Sequence, residues 1–287
     1  MAKFAALYVF TLSPQPMLAL RSLLISCCFC FCIHQATAQK KDSLSIKTEF
    51  SGLIGATNNG LSIIPTFSLN APAANFLLSV KGERFSFDPD IRLTFDGRRG
   101  GMVFWFRYKI LKEKKFTFHV GAHPAYNFQT RRIEENGTSN LITQARRFLA
   151  YEIVPNYRIS DHVSVGIYYL TGYGLQKDGP RRSHFLTVNT NLSNLRLVND
   201  VFVQFTPQFY YLKLNKEDGF YYTHTVGVVK KSWPVVFQST VNKEISSIIT
   251  GSRKFQWNIS VLYRFSNKYG RSADEDIFRI EDEITEF

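Results

Sequence analysis

From Phe116 to Gln129 the chain reads FTFHVGAHPAYNFQ, a stretch in which apolar side chains alternate with polar or small ones. The apolar series runs from Phe116 to Phe128, and the intervening series contains His119 and His123. Successive side chains of a β-strand point to opposite faces, so a period of two predicts a strand with one apolar and one polar face.

The same alternation recurs along the chain. Twelve segments show it, near residues 45–55, 60–69, 75–96, 100–111, 115–129, 143–157, 162–174, 183–193, 199–212, 219–230, 234–243 and 254–265. Most reach the roughly 9–11 residues that a tilted strand needs to cross a bilayer. We therefore predict an all-β fold, a transmembrane antiparallel up-and-down β-barrel of about twelve strands, with about ten or fourteen as alternatives.

A soluble sandwich or barrel would show the same alternation with its apolar face turned inward. Side chains fill the interior of a barrel of about eight strands, whereas about twelve strands leave a wider lumen. A wide apolar lumen filled with water would be unfavourable, which favours the membrane barrel.

One segment, 75–96, fits a single strand poorly. Its apolar residues occupy even positions at Phe76, Leu78 and Val80 and odd positions from Phe85 onward. A change of face needs an extra residue, so we expect a bulge or break at residues 81–84. If the segment formed two strands, the count would become thirteen.

The connections predict the orientation of the strands. In a barrel that begins in the periplasm, the periplasmic turns are 70–74, 112–114, 158–161, 194–198 and 231–233. The opposite end receives 130–142, 175–182, 213–218 and 244–253. Longer, polar connections thus fall mostly at one end, as in outer-membrane barrels.

The first residues have the features of an export signal. Lys3 and Arg21 are the only Lys, Arg, Asp or Glu before Ala38, and residues 23–33 (LLISCCFCFCI) form an unbroken apolar run. Residues 36–38 (ATA) then give the small-x-small pattern of a cleavage site. We expect residues 1–38 to be a cleaved signal peptide, with the mature chain beginning at Gln39.

The cysteines allow one alternative. Residues 24–27 (LISC) loosely resemble a lipoprotein box, which would leave a lipidated Cys27, but the apolar run continues beyond it and a better cleavage site follows. All 4 cysteines lie within residues 27–32, so cleavage after Ala38 leaves none. A disulfide scaffold, a thiolate zinc site and a cysteine nucleophile are then excluded, and neither a cofactor nor a metal site is predicted.

The charge of the chain points to partners outside the cytoplasm. The chain carries 35 Lys and Arg against 23 Asp and Glu, a formal net charge of +12. An exported protein does not meet nucleic acid, so the expected partners are outer-membrane lipid, lipopolysaccharide phosphates or an anionic solute. Residues 271–287 hold seven acids and two arginines. We expect them to form an acidic periplasmic tail, for which a periplasmic partner would fit, after a barrel domain of residues 39–270.

Residues 255–265 (FQWNISVLYRF) resemble the closing strand of outer-membrane β-barrel proteins of Gram-negative bacteria. Its apolar, aromatic-ended series is Trp257, Ile259, Val261, Tyr263 and Phe265. The resemblance implies a location in the cell outer membrane and recognition of this strand by the barrel-insertion machinery. It covers about residues 45–265 and specifies no activity. This chain departs from the pattern because residues 266–287 follow the strand.

Charges of both signs share the polar face of the predicted hairpin 84–113. The set is Arg84, Asp88, Asp90, Arg92, Arg107, Lys109 and Glu113. A four-residue turn at 97–100 makes opposed residue numbers sum to 197. This register places three pairs in opposition, Asp90 with Arg107, Asp88 with Lys109, and Arg84 with Glu113. Such a lumen lining would either select permeating ions or brace the lumen as a salt-bridged network, and the second reading is slightly favoured.

Function is the least determined property. His119 and His123 face the lumen roughly 13 Å apart along one strand, too far for one metal ion, so we expect lumen hydrogen bonding. No spacing ties a serine to a histidine as a nucleophile and base, so an enzyme is not predicted, with an outer-membrane hydrolase as the least favoured reading. A passive small-solute channel is favoured over a non-conducting structural, adhesive or partner-binding barrel.

Overall fold

The computed structural model describes residues 48–64, 67–135, 138–177 and 179–269. The expected signal peptide with Cys27 and its cleavage site, and the expected acidic tail, lie outside the described residues.

The described residues form twelve strands. They are β1 (Thr48–Thr57), β2 (Ala73–Lys81), β3 (Phe85–Thr94), β4 (Arg99–Lys112), β5 (Phe116–Glu135), β6 (Thr138–Arg158), β7 (Val163–Gly174), β8 (Arg182–Val198), β9 (Val201–Leu214), β10 (Glu217–Lys230), β11 (Val235–Ser247) and β12 (Phe255–Tyr269). No helix among the described residues is long and apolar enough to cross a membrane.

Each strand pairs antiparallel with its neighbours in sequence, and β1 pairs with β12 to close the ring. The closing ladder runs from Thr48 opposite Tyr269 to Thr57 opposite Ser260. Closure leaves no edge strand with unpaired backbone groups. The predicted antiparallel twelve-stranded barrel is therefore confirmed.

The two faces of the wall have opposite chemistry, as β12 illustrates. Its outward residues Trp257, Ile259, Val261 and Tyr263 are 41–54% exposed. Its inward residues Gln256, Asn258, Ser260 and Leu262 are 1–8% exposed. Other strands also expose large apolar side chains, among them Ile54, Phe106, Ile153, Val188, Phe209 and Phe237. An apolar outer face around a largely polar lumen is the arrangement of outer-membrane β-barrels, and the protein has this fold.

The first part of the barrel differs from the prediction in two places. The described residues of segment 60–69 form no strand. Segment 75–96 has the expected break at residues 81–84, but the break is a turn between two strands, β2 and β3, in which the Gly82 amide donates to the Phe85 carbonyl at 2.8 Å. The two errors cancel in the count. Because of these two differences, residues 70–74 lie in the β1–β2 connection and at the beginning of β2. This is the end of the barrel opposite to the periplasmic end predicted for them.

Segment 60–69 leaves the wall because its ends cannot continue a ladder. Gly60 and Asn70 have φ angles of +53° and 53°, outside the extended region. Leu61 and Leu69 are 8% and 4% exposed, so both apolar ends of the segment are buried. Alternation was therefore present without strand pairing.

The predicted register of β3 and β4 is wrong. Opposed residue numbers sum to 193, so Asp90 faces Val103, Asp88 faces Trp105, and Ser86 faces Arg107. The predicted oppositions of Asp90 with Arg107, Asp88 with Lys109, and Arg84 with Glu113 do not occur. An even shift preserves the face of each residue and changes only its partner.

The turn explains the shift. The chain reverses at residues 95–98, around Asp96 and Gly97, and Gly97 has a φ of +67°. The Asp96 carboxylate accepts hydrogen bonds from the Thr94 hydroxyl at 2.6 Å and the Arg98 amide at 3.0 Å. An Asp-Gly pair is a strong turn signal, and the chain turns at this pair and not at the predicted residues 97–100.

The hairpin of β5 and β6 is longer than predicted. Its strands have 20 and 21 residues, and the expected connection 130–142 is mostly strand. Pairing of β4 with β5 ends at Arg99 opposite Gln129, and pairing of β6 with β7 ends at Phe148 opposite Gly174. The hairpin thus extends beyond the pairing of both neighbours.

The outward face supplies a first prediction. Val261 lies near the middle of β12, opposite Ala56 and Phe237. Replacing it with arginine should lower the free energy of unfolding by about 2–4 kcal/mol, because a charge near the bilayer centre is poorly solvated. The measurement is urea unfolding in lipid vesicles, with V261L as the apolar control. Equal stability of the two variants would show that this face does not contact lipid.

Candidate functional site in the barrel lumen

The connection between β1 and β2 folds into the barrel. Its described parts are residues 58–64 and 67–72, which we call the inward loop. Arg92 donates from Nη1 to the Leu61 carbonyl at 2.8 Å, and Arg99 donates from Nη1 to the Leu69 carbonyl at 2.7 Å. Wall arginines therefore hold the loop through its backbone.

Apolar contacts also hold the inward loop against the barrel wall. Ile63 and Ile64 pack against a buried cluster of wall residues that includes Leu212 and Tyr221. Phe67 packs against Phe148 of β6, with ring centroids 5.2 Å apart. Burial of these side chains favours the inward position of the loop.

Aromatic side chains form a row on the lumen face of β7 to β10. Tyr168, Phe185, Tyr210 and Tyr221 lie on consecutive strands with successive ring centroids 5.8, 5.1 and 4.8 Å apart. Tyr210 and Tyr221 are only 2% and 1% exposed. The Tyr210 hydroxyl donates to Asn242 at 2.8 Å, and it also lies 3.3 Å from the Ile63 carbonyl. This side of the lumen is therefore filled by its own wall and by the loop.

An ionic cluster occupies the lumen face of β3 to β6. Arg107 of β4 contacts Asp88 of β3 at 3.2 Å and Glu152 of β6 at 2.7 Å. All three side chains are 0–3% exposed. The hydroxyls of Ser79 and Ser86 donate to the Asp88 carboxylate. Two carboxylates thus share one guanidinium in a region sheltered from water.

A glycine makes room for the acid of this cluster. A Cβ at Gly121 of β5 would lie 2.7 Å from Oε1 of Glu152. Only a residue without a side chain lets the Glu152 carboxylate lie so close to the neighbouring strand.

The two histidines of β5 adjoin the same carboxylate. Nε2 of His119 lies 3.7 Å from Oε1 of Glu152, and Nε2 of His123 lies 3.4 Å from Oε2. The His123 ring also packs edge-on against Trp105 at 3.9 Å, and the Arg107 guanidinium lies 4.5 Å over the Trp105 ring. Among the described residues, no group of three or more His, Cys, Asp or Glu side chains could hold a metal ion.

The seven residues of the predicted charge network do not form one network: four form two ion pairs, and the other three belong to neither pair. Asp88 and Arg107 meet in the ionic cluster. Asp90 and Arg92, two residues apart on β3, pair with each other at 2.6 Å. Arg84 lies in the turn before β3 and donates to the backbone carbonyls of residues 109 and 110 at 3.3 and 3.0 Å. The other two predicted residues, Lys109 and Glu113, lie at and just beyond the end of β4 that is remote from the 95–98 turn.

Sequence reasoning missed Glu152, the central acid of the cluster. One signal was available, because Glu152 is the only acid between residues 136 and 160 and shares the face of Ala150 and Val154. On the inward face between Phe148 and Asn156 Glu152 is the only charged residue, and a single acid in such a position needs a cationic partner. The partner could not be identified because β4 and β6 are not neighbours.

The closing-strand residues lie on the outer wall. Trp257, Ile259, Val261 and Tyr263 are exposed on the lipid-facing side, and Phe265 is half-buried. The Trp257 indole donates to the Ser239 hydroxyl at 3.0 Å. Their recognition by insertion machinery remains a prediction.

A cavity of about 110 Å³ lies between the inward loop and the barrel wall. Apolar side chains dominate its lining, among them Ile64 and Phe67 of the loop and Trp105 of the wall. Asp90 and Arg92 are the only Asp, Glu, Lys or Arg among the described residues that line it. Arg92 donates from Nε and Nη2 to the two Asp90 oxygens at 2.8 and 2.6 Å, so these charges compensate each other.

Comparison with solved structures finds other barrels. The KdgM porin is 13% identical, with 75% of this chain and 99% of that chain covered and a TM-score of 0.46. An outer-membrane channel from Pseudomonas putida F1 is 8% identical, with coverages of 79% and 100% and a TM-score of 0.47. OmpT of Vibrio cholerae is 10% identical, with coverages of 76% and 97% and a TM-score of 0.42. No family model and no curated protein matches this chain.

The ionic cluster generates a second prediction. Replacing Arg107 with methionine leaves the Asp88 and Glu152 carboxylates buried without their cation. The free energy of unfolding should fall by about 3–5 kcal/mol. Urea unfolding of refolded protein measures the loss, and R84M, which removes an exposed arginine, is the control.

Neutralising one of the two remaining acids should reverse part of this loss. Adding E152Q to R107M should recover stability, because it removes one of the two uncompensated charges. Strictly additive effects of the two substitutions would contradict the coupling of these side chains.

Proposed function

We propose that the protein is a passive channel for small solutes in the outer membrane, closed in the conformation described above. The observation that carries the proposal is the cavity within the lumen of a membrane barrel, beneath a loop that belongs to no strand. A solute held in this cavity would lie in the lumen of the barrel, between the two sides of the membrane. The proposal involves transport and no catalysis.

Two features close the lumen. The inward loop occupies one part of it, and the ionic cluster around Arg107 occupies another. The two arginine contacts to the Leu61 and Leu69 carbonyls involve no strand pairing. Withdrawal of the loop would break these contacts and expose its apolar side chains, while the barrel ladders would stay intact. The loop is therefore the part of the lumen that can move at the lowest cost.

A second candidate is a non-conducting barrel with a structural or partner-binding role. The dense filling of the lumen favours it, since Leu212, Tyr221 and Leu262 are 0–1% exposed. In both cases we propose that the apolar outer face contacts lipid, that basic loops contact lipopolysaccharide, and that the insertion machinery reads β12.

Conductance separates the two candidates. Wild-type protein in a planar bilayer should show rare, small openings, because the lumen is blocked at rest. Replacing residues 61–69 with a short Gly-Ser linker should increase the open probability and the uptake of small uncharged solutes by vesicles. The matched control replaces residues 131–142 at the tip of the β5–β6 hairpin, beyond the pairing of β4 and β7, and should leave conductance unchanged.

Folding must be verified first by the different migration of unboiled and boiled samples in SDS gels. A folded loop-replacement variant that passes neither ions nor uncharged solutes would contradict the channel and support the non-conducting barrel.

A further inference from the structure

The lumen cavity has the size of a small-molecule site. Its volume of about 110 Å³ is of the order of the roughly 150 Å³ engineered cavity in another protein that binds benzene. Ile64, Phe67, Phe148 and Leu170 supply apolar walls from the loop and from two strands. Such a space suits a molecule of about one ring and excludes extended chains.

Two residues that line the cavity have buried polar atoms that make no hydrogen bond to any described residue. Nε1 of Trp105 and both ring nitrogens of His123 are buried and make no hydrogen bond within the described part of the chain. His123 is 1% exposed, so water outside the barrel does not solvate it. An indole N–H can only donate, so Trp105 requires an oxygen or nitrogen acceptor that the wall does not supply. A ligand with an acceptor group would satisfy it.

The charge of the cavity selects a neutral ligand. Asp90 and Arg92 form a two-bond pair with each other, so the lining presents no net formal charge to attract an ion. An ionised ligand would lose its hydration without gaining a counter-charge. An uncharged molecule avoids this cost.

From these observations we infer that the cavity binds small, neutral, single-ring compounds that carry a hydrogen-bond acceptor, with Trp105 as the donor. The inference deepens the proposed channel function and rests on it for its biological role, since the solute held in the cavity would be the solute carried. The binding itself is a property of the closed barrel and can be measured without transport.

The test is equilibrium dialysis of defined ligands against the full-length mature protein in lipid nanodiscs. Acetophenone supplies a ring and a carbonyl acceptor, α-methylstyrene is its hydrocarbon isostere, and benzoate is its anionic counterpart. Wild-type protein should bind one acetophenone per barrel saturably. α-Methylstyrene should bind about three- to tenfold more weakly, the loss expected for one hydrogen bond, and benzoate more weakly still.

Two substitutions locate the site. W105F should lower the affinity for acetophenone to that for α-methylstyrene and leave the latter unchanged, since it removes the donor and keeps an aromatic wall. G101L fills the cavity and should abolish saturable binding of both. It is sterically mild, because a Cβ at Gly101 would meet only Phe67, at 3.6 Å. A125L is a second filled-cavity variant if G101L does not fold.

Each contrary result has a defined meaning. Equal affinity of wild type and W105F for acetophenone would overturn the assigned donor. Equal saturable binding to wild type and to a folded filled-cavity variant would overturn the site, and benzoate binding as tightly as acetophenone would overturn the neutral ligand class. Binding without conductance would retain the site and refute the channel, whereas conductance without saturable binding would retain the channel and refute the site.

Discussion

Pairing of β1 with β12 is the interaction on which the rest of the structure depends. Hydrocarbon offers no partner to a backbone N–H or C=O, so a spanning sheet must satisfy these groups within itself. The ladder from Thr48–Tyr269 to Thr57–Ser260 achieves this by closing the sheet. Closure then gives every strand one face toward lipid and one toward the lumen. The alternation of the sequence is the chemical consequence of that division.

Closure of twelve strands also creates an interior that has to be filled or hydrated. This chain fills it in two chemically different ways. The aromatic row on β7 to β10 packs by dispersion and apolar burial, whereas Arg107, Asp88 and Glu152 fill the arc of β3 to β6 with charges. Buried charges are tolerated only when each has a partner, and one arginine serving two carboxylates makes the arrangement depend on a single side chain. The inward loop occupies space that neither arc fills.

The sequence predicted what depends on periodicity and failed where the choice of turn or contacts between distant segments decide. The presence of strands β4 to β12 and the faces of their residues follow from alternation, although β5, β6 and β8 extend further than predicted and β8 includes the predicted turn 194–198. The same alternation in residues 60–69 predicted a strand that the described residues of this segment do not form, because periodicity indicates the face of a side chain and not whether the backbone pairs. The β3–β4 register required the Asp96-Gly97 turn to be preferred over Gly100. The sequence shows Glu152 as an isolated inward acid. It does not show the contact with Arg107, because β5 lies between β4 and β6 and no local pattern relates residues of strands that are not neighbours.

Arg92 connects the cavity to the loop that covers it. Its guanidinium binds Asp90 through two nitrogens and the Leu61 carbonyl through the third. The same side chain therefore lines the cavity and holds the inward loop. The guanidinium has five N–H donors in a fixed plane, and a change at one of them constrains the others. A ligand that alters the Arg92 contact to Leu61 would change the equilibrium of the loop, and by linkage the position of the loop would change the affinity for that ligand by the same free energy. In the proposed channel, occupancy of the cavity and closure of the lumen would therefore be connected through this side chain, and none of the four residues of the aromatic row lines the cavity.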